Sequence, residues 1–319
     1  MHLIFLCIII IFSMDINYFK KIRVLDGGMG QELLSKGLRP RGTLWSATAL
    51  IDKKYHKLVV DTHLNFIKSG ADVIVTNNFS ARRTRTVQNN VDKYFNYANE
   101  KAGELALKAK KISNKNILIA GSLPAQNDTY LPDERDERLI KKNFSDQADL
   151  LKPFIDFFYL DVLSSIREIK IALSVAEKIN LPVLVGLHIR ENGKLTSGET
   201  IASVFEKCKN KNWLGLITAC TSPEITENVL DEIKGLKIPF GFKANLWKKQ
   251  PLPVAEIVTF DKDGFGANPV NILGSRNDIT SEKFYDFSRK MISKGATILG
   301  GCCETKPSHI KAISKLKQI

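Results

Sequence analysis

The chain has 319 residues, 44% of them hydrophobic and 25% charged, which is the make-up of a soluble globular protein with room for one large domain or two ordinary ones. Lys and Arg together number 47 against 34 for Asp and Glu, a net charge of +13. The basic residues are scattered, and only Arg82-Arg83-Thr84-Arg85 and Lys108 to Lys111 are dense, so a solvated basic surface that attracts anionic small molecules fits better than a nucleic-acid-binding stripe. Five cysteines in no regular spacing exclude a disulfide framework and point to a reducing, cytoplasmic setting.

The apolar run Leu3 to Phe12 is too short to span a bilayer and has neither a basic leader nor a small-residue cleavage site. Met14 follows directly. Residues 1–13 are therefore expected to be a start-site error or a dispensable extension, and residues 14–319 a single domain. From there, short apolar runs alternate with helical stretches. Strands are predicted at 22–25, 71–75, 117–120, 155–160, 182–187, 214–219, 238–242 and 297–299. Helices are predicted at 55–68, 91–112, 146–154, 166–179, 201–209, 223–233 and 278–292. The strands lack alternation, as parallel strands buried on both faces do. Eight βα units in this length predict a (β/α)8 TIM barrel, with a doubly wound open sheet as the alternative. The barrel accounts better for the polar or reactive residues after nearly every strand, because it gathers them on one face. The Pro- and Gly-rich stretch 243–274 reads as a long loop after the seventh strand.

Chemistry concentrates at two of those strand ends. Gly300-Gly301-Cys302-Cys303 follows the eighth strand, and Cys220 stands just past the sixth. Adjacent cysteines rarely pair with each other, because the ring they would close is strained. Three thiolates leave one position open on a tetrahedral zinc, the arrangement of a catalytic rather than a closed structural site. The plainer alternative is three inert buried cysteines. Cys208 lies in a polar helical stretch and is a bystander. A thiol bound at the open position would ionise and attack an activated methyl carbon. A sulfonium or quaternary ammonium donor would leave neutral, with no general acid required.

Several stretches carry a family resemblance: Leu25-Asp26-Gly27-Gly28-Met29-Gly30, Gly70 to Phe79, Gly121-Ser122-Leu123-Pro124, Ala219-Cys220-Thr221-Ser222-Pro223 and Gly300-Gly301-Cys302-Cys303. From Ile22 to Ile310 the chain resembles the homocysteine S-methyltransferase family. The resemblance implies a TIM barrel, Zn2+ on Cys220, Cys302 and Cys303, and methyl transfer to the homocysteine thiol to give methionine. It also implies that Asp26 accepts the homocysteine ammonium, with Gly27 and Gly28 allowing close backbone approach. The plainer role for Asp26 is a helix cap or turn. Asp161 stands where the family usually has a glutamate; a loop aspartate is the alternative. Thr76 and Asn77 would line the pocket or simply satisfy a turn. Asn245 matches a family asparagine but is preceded by Lys243-Ala244, a departure. Glu304 replaces a common glycine. His188 is read as a pocket wall.

For the donor, Trp45 matches one position of an aromatic cage suited to cation–π contact, but Ser80 and Val162 stand where further rings are expected. This argues against betaine and for a sulfonium such as S-methylmethionine or S-adenosylmethionine, with Trp45, Phe79 and Tyr130 as candidates to face it. The partners are small-molecule substrates, without nucleic acid or membrane; a homo-oligomer stays open. Two alternatives remain: a betaine- or other onium-dependent thiol methyltransferase with a different acceptor, and a basic nucleic-acid-associated protein with a structural metal.

Overall fold

Eight apolar runs become eight parallel strands: β1 (Arg23–Val24), β2 (Val73–Val75), β3 (Leu118–Pro124), β4 (Phe157–Leu163), β5 (Val183–Leu187), β6 (Trp213–Thr221), β7 (Phe240–Ala244) and β8 (Ile298–Gly301). The structure is a computed structural model that describes residues 15–251, 266 and 268–318. The expected extension before Met14, and residues 252–265 and 267 of the loop expected after β7, lie outside the described residues. Nearly every strand residue is buried, since one face meets the barrel interior and the other the surrounding helices. The hydrogen-bonded order β1-β8-β7-β6-β5-β4-β3-β2 is that of a (β/α)8 TIM barrel. Its seam lies between β1 and β2 and is sparsely laddered. Leu25 and Val73 form one bridge, and two carboxylates complete the closure. Asp72 Oδ2 accepts from Val24 N at 2.9 Å, and Asp26 Oδ2 accepts from Val75 N at 2.8 Å.

Two apolar layers result. Leu25, Val73, Phe157, Leu184, Ile217 and Ile298 fill the interior, and Phe19 packs edge-on against Phe157 at the start of β4. The other faces of the strands pack on the helices, among them Phe95–Ser113 through Ala98, Ala102 and Ala106. Local signals set the helix starts: Asp136 accepts from Arg138 N and Leu139 N, and Ser165 from Glu168 N. The helix predicted at 146–154 begins earlier, at Glu137, because this cap precedes a polar first turn without apolar periodicity. The stretch predicted as one helix at 223–233 is two, Pro223–Asn228 and Leu230–Gly235.

The strands run further than predicted at the end that matters. Cys220 lies inside β6 rather than beyond it, and Asp161 inside β4, because both strands shift register and continue. No helix among the described residues is long and apolar enough to cross a membrane.

Candidate active site

The C-terminal ends of the strands surround a cavity lined by Asp26, Gly27, Gly28, Trp45, Thr76, Asn77, Phe79, Tyr130, Asp161, Cys220, Lys243, Cys302 and Cys303. Cys220 reaches it through strain. Its φ is +51°, in the left-handed region that disfavours a side chain, at the point where the register between β6 and β7 shifts. Cys302 and Cys303 are placed by β8, whose end is tied to its neighbour by Cys302 N donating to Ala244 O at 2.7 Å. The three sulfurs lie within 4.8 Å of one another, with Cys220 and Cys303 3.9 Å apart. Three thiolates on a tetrahedral zinc, at metal–sulfur bonds of about 2.3 Å, would be separated by about 3.8 Å, so the donor set and its spacing fit that ion. All three thiols are free. Hydrogen bonds from Cys302 and Cys303 hold the Cys220 thiol well below its ordinary pKa against the effect of burial, and Tyr130 adds to them. The same contacts raise Cys302 and Cys303.

Tyr130 stands directly on this group, its hydroxyl 3.3 Å from Cys220 Sγ and its ring 4.7 Å from that of His188. His188 faces Ala219 O, and burial pushes its pKa down to about 4, so it is neutral. The loop carrying Tyr130 is held from below by Arg82, fully buried, which donates to Ala125 O and Thr129 Oγ1 and lies over the Phe79 ring. Sequence reasoning saw Arg82 only as part of a basic run.

Two carboxylates and one lysine supply the cavity's charge. Asp161 accepts from Ser122 Oγ at 2.8 Å; burial, reinforced by Cys302 and opposed by Lys243, pushes its pKa up to about 7. Asp26 is already engaged twice, by Val75 N and by Lys243 Nζ at 2.6 Å. Gly28 lies so close to the last cysteines that an added Cβ would sit 2.6 Å from Cys302 O. Thr76 and Asn77 line the cavity, yet their side chains are internally satisfied: Thr76 Oγ1 bonds Asn78 and accepts from Ser122 N, and Asn77 donates to Ser46 O. Asn245, expected beside the substrate, lies outside this cavity's lining. Its amide donates to Cys220 O and accepts from Trp247 N, so it braces the strained cysteine.

A second cavity shares Trp45, Phe79, Tyr130 and Cys303 with the first and adds Trp247. Trp45 and Phe79 meet edge-to-face at 6.3 Å. Trp45 has a φ of +46°, and its indole donates to Gln31, which in turn donates to Glu304 at 2.6 Å. Glu304 itself has a φ of +64°, which is why a glycine would be at ease there. Trp247 went unnoticed in the sequence because no periodicity marks the stretch after β7. Ser80 lines the second cavity and Val162 the first, both without a ring to offer.

The family model for homocysteine S-methyltransferase matches residues 23–316. Homocysteine S-methyltransferase 1 of Arabidopsis thaliana is 26% identical, over 92% of this chain and 92% of that protein. Selenocysteine methyltransferase of Astragalus bisulcatus is 22% identical, over 92% and 91%. Among solved structures, the metallated form of the homocysteine methyltransferase MmuM from Escherichia coli superposes with a TM-score of 0.74 at 20% identity, covering 93% of this chain and 96% of that one. A thiol cluster at the mouth of a TIM barrel and a family match across nearly the whole chain agree: the protein belongs to the homocysteine S-methyltransferase family and is a methyltransferase.

Proposed function

We propose that the protein methylates the thiol of homocysteine, giving methionine, with a sulfonium as donor and a zinc ion held by Cys220, Cys302 and Cys303. The observation that carries this is the cluster of three sulfurs within 4.8 Å, opening on a cavity with carboxylates on one side and aromatic rings on the other. A zinc ion bound there would offer a fourth position at which the substrate thiol loses its proton. Asp161, which lines the cavity, is suited to the substrate ammonium, and Asp26 to fixing the wall beside it. Trp45, Phe79, Tyr130 and Trp247 are suited to the donor's cationic centre, which aromatic faces attract, and to keeping water from it. The homocysteine sulfur gives a lone pair to the methyl carbon as the donor's sulfur–methyl bond breaks. The departing thioether is neutral, so the step needs no general acid. S-methylmethionine and S-adenosylmethionine are the favoured donors, since Ser80 and Val162 leave an all-aromatic betaine cage incomplete. The free thiols fit the reducing cytoplasm.

The test is a donor screen on protein purified under reducing conditions and loaded with zinc, offering each sulfonium and betaine with homocysteine. Methionine formed from a sulfonium, abolished by Cys302→Ala together with a fall in bound zinc, is the expected result. Protein that takes up no zinc, or turns over only with betaine, overturns the metal or the donor assignment respectively. The relative named selenocysteine methyltransferase supports adding a selenol acceptor to the screen.

A further inference from the structure

Lys243 is a cation in a wall that could have been apolar. It lies on β7 and is paired in register with Gly300 of β8, whose missing side chain makes room for the lysine stem: a Cβ on Gly300 would come within 3.0 Å of Lys243 Cγ. The ammonium is almost wholly buried and lines the same cavity as the three cysteines. Two of its three N–H bonds are used, one on Asp26 Oδ1 at 2.6 Å and one on Asp26 O at 3.3 Å. The third finds no acceptor among the described residues. Asp26 has both oxygens engaged, by Lys243 and Val75 N, whereas Asp161, which accepts from Ser122 Oγ and has Tyr159 beside it, makes no ion pair among the described residues. Among the described residues that line the cavity, Lys243 is the one basic side chain.

An α-amino acid brings an ammonium and a carboxylate, and the wall presents a partner for each. We propose that Lys243 binds the α-carboxylate of the thiol acceptor, and that its pairing with Asp26 leaves Asp161 as the carboxylate that takes the ammonium. The proposal rests on the assignment of homocysteine as acceptor and sharpens it: Lys243 is what makes the site select amino-acid thiols over simple aminothiols. A purely structural lysine, present only to neutralise Asp26, would confer no such selectivity.

The experiment compares homocysteine with aminopropanethiol, which is homocysteine without its carboxylate. Lys243→Met is expected to raise the KM for homocysteine about ten- to a hundredfold, the effect of losing one charge-assisted hydrogen bond. It should leave kcat/KM for aminopropanethiol nearly unchanged, so that the preference collapses. Lys243→Arg, which keeps the cation, should retain most of it. Because Lys243→Met strands a buried carboxylate, the same comparison is made in Lys243→Met/Asp26→Asn, where Asn still accepts from Val75 N and no unpaired charge remains. Calorimetric titration with the methylated products, methionine against methylthiopropylamine, reads the selectivity without turnover. An equal loss on both thiols, or an unchanged preference for homocysteine, overturns the proposal. Failure of the acceptor assignment looks different: the wild-type protein would methylate neither thiol with any donor, and the product titrations would still decide whether Lys243 selects a carboxylate.

Discussion

At the residue scale, the thiol cluster depends on side chains besides its three cysteines. Tyr130 donates toward, or accepts from, Cys220 Sγ, and a hydrogen bond to a metal-bound thiolate typically tunes affinity by about tenfold or more. Tyr130→Phe keeps the ring in the aromatic chamber and removes only this bond. Zinc affinity, measured by competition with a chelator, should fall about tenfold while the donor KM stays close to wild type. That the cysteines and Asp161 gather at one end of the barrel was legible from sequence, because each stands near the end of a short apolar run. The positive φ of Cys220, Trp45 and Glu304 was not, since each is imposed by tertiary packing on a residue with no local preference for it. The roles of Lys243 and Asn245 were hidden for the same reason. Their neighbours, Asp26 and Cys220, come from distant parts of the chain.

At the element scale, the eight strands could be read off the apolar runs, but their ends could not. Polar residues such as Ser122, Asp161 and Lys243 look like loop in a sequence, yet they continue strands whose inner face has become the site. The spacing of β7 and β8 is the most exacting feature of the wall. A Cβ on Gly241 would run into the Ile298 carbonyl oxygen of the neighbouring strand, with no flexible group to yield. Gly241→Ala should therefore cost more than about 3 kcal/mol or prevent folding, as judged by urea denaturation. Gly235→Ala, where an added methyl meets nothing within 4 Å, should stay within about 0.5 kcal/mol of wild type.

At the scale of the whole molecule, buried ionisable groups set the range of pH in which the barrel holds. His63 is fully buried in the helix His56–Lys68, and neither ring nitrogen finds a hydrogen-bond partner among the described residues. Burial pushes its pKa from 6.5 down to about 4. A histidine depressed in the folded state stabilises fully above its unfolded pKa and loses that contribution as pH falls from about 6.5 towards 4. The loss approaches about 3 kcal/mol at the acid end. His63→Leu should therefore lose less stability than wild type between pH 7 and pH 4.5, measured by denaturant titration at each pH. Glu168 works in the opposite sense, since burial pushes its pKa up to about 7 and its ionisation weakens the fold as pH rises. Glu168→Gln should gain on wild type between pH 5 and 8 in the same measurement.

The sparse seam between β1 and β2 bears on how such an enzyme can change over time. Asp26 is at once a staple of the barrel's closure and the anchor of Lys243, so replacing it loosens the scaffold and disturbs the cavity together. Drift toward a new acceptor is thereby channelled to the opposite bank, where Asp161 is held by side-chain hydroxyls rather than by the barrel's closure and can be exchanged without unpicking the cylinder.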